Sequence, residues 1–351
     1  MPQRGVQVLD YPISTPANLV QCLNAAFCNR AALMAQLAAE QTDAYRLFHG
    51  SIEGRAGLTV DRYGNVALVQ AFHHPLDGAA LAAVISFYQQ VLPDVRVVYS
   101  DRSAHNSRVT RAAGELEPGL ADESGHCVEL GVRYRFAARH AGQDPWLFLD
   151  LRAGRRRVMQ LAPGKTVLNL FAYTCGVGIA AAVAGAQRVV NIDFAQSALE
   201  VGRANAQLNA LSQVAFVHSD VFAALRQLAG VGQPQVVRGK RLPTFPVLAP
   251  AQFDLVVLDP PRHAKSPFGV VDLVADYPAL FKLALLATVA GGTLLCCNNV
   301  AQVAREVWLD QLQRCATKVG RSLQQVQWLA PEADFPSPDG RPPLKMLVLQ
   351  V

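Results

Sequence analysis

The sequence predicts an α/β protein, a parallel sheet with crossover helices preceded by a small α+β domain. Three observations carry this expectation. From about residue 141, short Val-, Leu- and Ile-rich runs alternate with longer helical stretches, the rhythm of repeated strand–helix–strand units. Residues 45–140 have another texture, apolar runs broken by Gly-containing turns, as in hairpins. The chain of 351 residues is 51% hydrophobic and only 17% charged, against about 25% charged in an average soluble protein. That is enough apolar material to bury a sizeable core.

The same arithmetic excludes several classes. Wholesale disorder needs low hydrophobicity and high net charge, and the 25 glycines and 21 prolines follow no period. A net charge of +5 permits a nucleic-acid partner without demanding one. Cys22, Cys28, Cys127, Cys175, Cys296, Cys297 and Cys315 are odd in number and have no metal-ligand spacing. They read as reduced thiols of a cytoplasmic protein, and no metal is expected. The N-terminus shows no apolar secretion signal. An uncharged run from Val167 to Ala186 has the length of a membrane span. It contains Asn169, Tyr173, Thr174, Gly176, Gly178 and Gly185, however, so a buried strand, a tight loop and a buried helix explain it better, and no membrane partner is expected.

Taken in order, residues 17–45 are rich in Ala, Leu and Gln without Gly or Pro, predicting one or two helices and a helical arm over 1–44. Residues 46–72 read as strands and hairpins, 79–92 as a helix, 95–100 as a short strand and 127–137 as a final hairpin, closing the small domain at 140. In residues 141–351 the strand candidates are 166–171, 188–193, 214–219, 253–259 and 292–298. Two C-terminal runs, 322–331 and 342–351, suggest an antiparallel pair at the sheet edge. Residues 229–252, with four prolines and the basic cluster Arg238, Lys240 and Arg241, read as a long surface loop.

Ligands of open α/β sheets bind beyond the carboxyl ends of the strands, where strand order reverses. Three segments converge there: the small-residue turn NLFAYTCGVG (169–178), Asp193 ending the next strand, and Asp220 after the third. A carboxylate at the second position can accept both ribose hydroxyls. The turn lacks the third glycine of the G-x-G-x-x-G phosphate fingerprint. This speaks against a nicotinamide or flavin and for a nucleoside without pyrophosphate, of which S-adenosylmethionine (SAM) is the commonest cofactor. The sharper signal is Asp259-Pro260-Pro261 at the end of the apolar run FDLVVLD. Two prolines make a stiff turn without backbone donors, leaving a carbonyl and a carboxylate to meet a flat, amino-bearing substrate.

Four runs together resemble class I SAM-dependent methyltransferases: FLDLRAGRRRV (148–158), LNLFAYTCGVG (168–178), VVNID with its helix ending ANAQLNAL, and LDPPRHAKS (258–266). With the segment 43–70, they resemble the branch containing the bacterial 23S rRNA large-subunit methyltransferases. The resemblance implies a Rossmann-like class I methyltransferase sheet, SAM as cofactor, and 23S rRNA or a ribosomal assembly intermediate as partner. It places Asp150 and Arg152 by the cofactor's amino-acid end, with Asn169, Phe171, Tyr173, Thr174 and Gly176 forming the cofactor turn. Asp193 and Phe194 would hold the ribose, Asp220 and Val221 would lie near the adenine, and Asp259, Pro260 and Pro261 would face the target base.

The choice of base turns on one nucleophile. Carbon 5 of a pyrimidine reacts only after a thiolate adds to carbon 6. Members that modify cytosine carry that cysteine seven residues after the second glycine of a GG pair; here the count from Gly292 reaches Asn299. Asn298-Asn299 instead matches members that methylate guanine N7, already nucleophilic, where positioning suffices. The expectation is therefore guanine N7, or another base nitrogen, of 23S rRNA. Cytosine C5 and a non-RNA substrate remain alternatives. Cys296 and Cys297 read as buried strand residues, and Cys175 as a packing residue. The PUA-type N-terminal domain of the cytosine-modifying members has no counterpart in the first 45 residues, which are helical and too short. Arg152, Arg155, Arg156 and Arg157 form a basic run suited to phosphates, a solvated helix face being the alternative. His73, His74, His105, His140 and His263 show no ligand spacing, and His263 alone lies near the Asp-Pro turn.

Overall fold

The computed structural model describes residues 16–103, 124–138, 144–232 and 236–351, except 238–239, 242–243, 245, 267–268 and 338. His105, His140 and Arg238 lie outside the described residues, as do the side chains of Lys240, Arg241 and His263.

Two compact units emerge: residues 1–39, 43–124 and 138–143 form the first, and 40–42, 125–137 and 144–351 the second. In the first, β1 (Ala44–His49), β2 (Leu58–Tyr63) and β3 (Val66–Ala71) run antiparallel, and β4 (Arg96–Asp101) joins β3 in parallel. Helices α1 (Pro16–Asn29), α2 (Ala31–Ala39) and α3 (Gly78–Val91) cover this sheet's core, in which Leu19, Leu23 and Leu37 pack with Phe48, Val60, Val69 and Val84. Asp77 starts α3 by accepting the Ala80 amide at 2.7 Å, satisfying a donor the helix leaves open. The two N-terminal helices, expected as an arm over 1–44, thus share one core with the small sheet.

The hairpin β5 (Ser124–Glu129) and β6 (Val132–Ala137), which sequence reasoning assigns to the small domain, groups from Gly125 onward with the second unit. Side chains of helix α6 (Gln196–Leu208) and its cap explain why. Asn209 Oδ1 accepts the Arg133 amide at 3.0 Å, and Asn205 Oδ1 accepts the Arg135 amide at 2.8 Å.

The second unit is built on a seven-stranded sheet. Chain order runs β7 (Thr166–Leu170), β8 (Arg188–Asp193), β9 (Val214–His218), the two short strands β10 (Val236–Val237) and β11 (Lys240–Arg241) outside this sheet, then β12 (Phe253–Leu258). A small hairpin, β13 (His263–Ser266) and β14 (Gly269–Asp272), precedes β15 (Thr288–Asn298), β16 (Gln325–Leu329) and β17 (Lys345–Gln350). Spatial order is β16-β17-β15-β12-β7-β8-β9. The five strands from β15 to β9 are parallel, and β17 and β16 are antiparallel, as the two C-terminal runs predict. The chain leaves β7 toward β9 and returns on the other side as β12, so strand order turns between β7 and β12. Helix α4 (Arg152–Leu161) leads into β7, the crossover helices α5 (Gly176–Val183), α6, α7 (Val221–Leu228) and α8 (Leu273–Leu286) join the parallel strands, and α9 (Arg305–Lys318) follows β15.

Strands buried on both faces need continuous apolar runs. Val167, Leu168 and Leu170 of β7 and Leu255 to Leu258 of β12 are fully buried. The uncharged run from Val167 to Ala186 resolves into β7, a turn and α5, and no helix among the described residues is long and apolar enough to cross a membrane. Gly178 lets α5 sit close on the sheet, since a Cβ there would lie 2.1 Å from Asn191 Oδ1.

The basic run of α4 departs from expectation. Arg152, Arg155 and Arg156 lie one turn apart and share a face. That face points inward: Arg152 is fully buried against Asp334, with Glu332 at 3.8 Å, and Arg155 is held by both oxygens of buried Glu129. Arg156 bridges Glu332 and Glu40 at 2.9 and 2.8 Å. These guanidinium groups are committed to carboxylates of the chain itself, and the solvated or phosphate-binding face that the run suggests is an internal ion-pair array.

Candidate active site

At the carboxyl ends of β7, β8, β12 and β15, beside the point where strand order turns, lies a cleft of about 440 Å³. This is where an open α/β sheet is built to hold a ligand. Its first wall is the turn after β7. Phe171, Tyr173 and Cys175 all adopt left-handed backbone, at φ 55°, 50° and 64°. Non-glycine residues rarely do so, and such strain gathers at ligand sites when surrounding contacts enforce it.

The enforcing contacts are visible. Asp193 Oδ2 accepts the Tyr173 amide and Oδ1 the Ala195 amide, each at 2.8 Å, so one carboxylate ties the turn to the exit of β8. Burial raises the Asp193 pKa, and the amides of Ala195, Tyr173 and Phe194 oppose that rise. Thr174 donates its hydroxyl to the Trp146 carbonyl, Tyr173 its phenol to Asp144, and Asn205 its amide to the Thr174 carbonyl. Below the turn, Tyr134 of β6 donates to the Gly176 carbonyl at 3.0 Å. Cys175 is buried against Gly202, where a Cβ would approach its Sγ to 2.5 Å, and burial pushes its thiol well above the ordinary range. It is the packing residue the sequence suggests.

The opposite wall is the exit of β12. Asp259, Pro260 and Pro261 line the cleft together with Asn299 from the end of β15. Asp259 keeps a partial opening to the cleft, and loss of solvent there, reinforced by the charge of Asp150, pushes its pKa up to about 7. A hydrogen bond with Cys297 and the charge of Arg155 work against that shift. Cys296 and Cys297 are fully buried strand residues. Burial pushes the Cys296 thiol up to about 12 and drives Cys297 well above its ordinary value.

The cleft brings together most of the sequence candidates. Asp150, Asn169, Phe171, Tyr173, Thr174, Gly176, Asp193, Phe194, Asp259, Pro260, Pro261 and Asn299 all line it. Arg152, Asp220, Val221 and Asn298 are not among the lining residues. Arg152 is the buried partner of Asp334. Asp220 caps α7, accepting the Ala223 amide at 3.0 Å, and Val221 is in the core. Asn298 is buried and accepts the Val300 amide at 2.9 Å, which shapes the turn that presents Asn299. Trp146, Phe148 and Arg155 also line the cleft, and sequence reasoning does not single them out as site residues. The signal available for the last two was their place in the run FLDLRAGRRRV.

The parallel sheet, the order turn at a glycine-containing cleft and the antiparallel edge pair define the Rossmann-like class I methyltransferase fold, with a small sheet unit ahead of it. Residues 45–350 match the family model described as S-adenosylmethionine-dependent methyltransferase, and the chain belongs to that family. It is a SAM-dependent methyltransferase. Among curated relatives, it is 28% identical over 302 residues to ribosomal RNA large subunit methyltransferase I of Klebsiella pneumoniae (strain 342), covering 84% of this chain and 70% of that one. The protein of the same name from Shigella flexneri serotype 5b (strain 8401) is 29% identical over the same shares. Among solved structures, one described as a methyltransferase in complex with SAH superimposes with a TM-score of 0.76 at 22% identity, covering 97% of this chain and 83% of that one. One described as a SAM-dependent methyltransferase from Agrobacterium tumefaciens gives 0.57 at 16%, covering 84% and 87%. These two likenesses bear on the fold.

The residues present fit the cofactor. A carboxylate at the β8 exit, an aromatic-lined turn and a cleft of nucleoside size stand together at one sheet edge.

Proposed function

We propose that this methyltransferase acts on a base of large-subunit ribosomal RNA, with the cofactor lying between Asp193 and Asp259. The observation that carries the reading is the Asp259-Pro260-Pro261 turn facing the glycine turn across one cleft. Its carboxylate and carbonyl can accept hydrogen bonds from a flat base, while the prolines offer no competing donor. The likeness to enzymes named for ribosomal RNA supports the substrate class. SAM supplies an electrophilic methyl group on a sulfonium sulfur; the chain's part is to align the accepting atom and exclude water. In this reading Asp193, with Phe194 beside it, receives the ribose. Replacing Asp193 with Ala removes the acceptor of two backbone amides and of the ribose hydroxyls. It is expected to raise the SAH dissociation constant about tenfold or more by calorimetry. Unchanged affinity would contradict the ribose assignment.

On the identity of the base, the relatives speak for the cytosine alternative over guanine N7, which the comparisons do not support. Cytosine C5 chemistry sets a condition, because a thiol must reach carbon 6. Asn299 occupies the wall where the sequence count places that thiol, and Cys297, hydrogen-bonded to Asp259, is fully buried and does not line the cleft, so C5 chemistry would require this thiol to be uncovered when substrate binds. Asn299 in the wall favours a second reading, attack by a ring nitrogen of the base itself.

Nucleoside analysis of large-subunit rRNA from a deletion strain and its complemented parent separates these readings. Loss of 5-methylcytosine, with Cys297→Ser inactive on the same RNA, supports the first. Loss of 7-methylguanosine or another N-methylated base supports the second. No altered nucleoside, in naked rRNA or in assembly particles, would remove RNA as the substrate.

A further inference from the structure

A large aromatic side chain at the rim of the cleft is left in water. Phe148 is 50% exposed, whereas Leu147 and Leu149 on either side are 3% exposed. Phe148 sits between a bend and the short 3-10 helix Leu149–Leu151, with its own backbone extended at φ −82° and ψ 109°, and in that position its ring faces outward while Leu147 and Leu149 turn inward. The segment is rigidly held. The Phe148 carbonyl accepts Arg155 Nη2 at 2.9 Å, and that guanidinium is locked on buried Glu129. The Phe148 ring lies against the Tyr173 ring, centroids 5.6 Å apart at 43°. Two residues upstream, Trp146 lines the same cleft with left-handed backbone at φ 73°, a conformation a bulky residue adopts only when its surroundings enforce it. Two residues downstream, Asp150 lies close enough to Asp259 for their charges to interact. An exposed ring braced on a fixed segment, next to the carboxylates of the target wall, has the properties of a stacking surface.

We propose that Phe148, backed by Tyr173, is the platform on which the target base stacks after leaving its place in the RNA. The inference rests on the reading of the substrate as an rRNA base and adds the residue that receives it. Chemistry on a base requires it to be unstacked from its neighbours, and an aromatic face in the enzyme replaces part of what is lost. Stacking of one base on one aromatic ring is worth about a tenfold change in binding or more. Every base has a π-face, so the platform sets the base's plane while Asp259 and Asn299 meet its edge.

The test uses the full chain with in vitro transcribed large-subunit rRNA and methyl-labelled SAM, and SAH calorimetry alongside. Phe148→Ala is expected to lower kcat/KM for RNA about tenfold or more, with SAH affinity within about twofold of wild type. Phe148→Tyr restores transfer, and Phe148→Leu, apolar but without a π-face, does not. Because the side chain is half exposed, these variants are expected to fold, and matching circular dichroism and melting curves verify it. A parallel loss of SAH affinity would make Phe148 a cofactor wall and overturn the proposal, as would full activity of the Leu variant. A wild-type enzyme inactive on RNA but active on another substrate would overturn the RNA reading and the platform together. Failure of the platform alone shows only in the variants.

Discussion

Replacing Asp259 with Asn is expected to abolish methyl transfer while making the cofactor-free protein more heat-stable above pH 7. Burial beside Asp150 pushes the Asp259 pKa up to about 7, against about 3.8 for an ordinary aspartate. The folded protein therefore binds a proton that the unfolded chain has released between those values. Stability is consequently lost as pH rises from about 4 to about 7, and above that the folded state carries the full cost of a poorly solvated carboxylate. An amide at the same position cannot ionise, so the variant escapes that loss. Its melting temperature should exceed that of wild type at pH 8 by about 3 °C or more, by less at pH 5, and approach it near about pH 4. Activity should fall about a hundredfold or more, because the amide puts a donor where the cleft presents an acceptor. Wild-type activity should rise through pH 7 as the carboxylate forms. A variant no more stable at pH 8 than at pH 5, relative to wild type, would mean that Asp259 ionises without cost.

The pH signature of Asp259 also marks what can be read from a sequence. That an Asp-Pro-Pro turn ends a strand in the right half of the sheet is a local property, and the run FDLVVLDPP carries it. The parallel strands were legible for the same reason. Each is a continuous apolar segment between helices of regular length, and both faces of such a strand are buried whatever the tertiary details. The edge pair β16–β17 was legible because its two runs stand alone at the C-terminus. What was not legible depends on partners remote in sequence. Asp220 has the look of an adenine contact, but a carboxylate immediately before a helix can also cap it, and here its Oδ1 does cap α7 while the residue stays off the cleft lining, a placement the local sequence does not reveal. The hairpin 124–137 has the texture of the small sheet, and partners remote in sequence, Asn205 and Asn209 on its backbone amides, Gly176 under Tyr134 and Arg155 on Glu129, assign it elsewhere. Phe148 sat inside a recognised motif, yet its exposure follows from the burial of Leu147 and Leu149, which spacing alone does not reveal.

The basic run of α4 is the strongest case of this kind. Four arginines within six residues look like a phosphate clamp, whereas Glu129, Glu332 and Asp334, at opposite ends of the second unit's sequence, turn three of them into internal ties. The expected consequence is structural. Arg152→Met should destabilise the protein by about 3–5 kcal/mol, because Asp334, itself fully buried, loses its cation and cannot reach water. Urea unfolding would register this as a lower midpoint at unchanged slope. The double variant Arg152→Met, Asp334→Leu removes both charges and fills their space with apolar atoms, so it should recover most of the loss. SAH affinity of the folded single variant should stay within about twofold of wild type, since Arg152 does not line the cleft. A large loss of SAH affinity with little loss of stability would reverse the assignment and return Arg152 to the cofactor's amino-acid end, where the family resemblance places it. The contrast is sharp because the two roles predict opposite patterns in the same two measurements. A charge that holds the fold and a charge that holds a ligand differ in where its counter-ion resides, inside the chain or on the cofactor, and for Arg152 the counter-ion is Asp334.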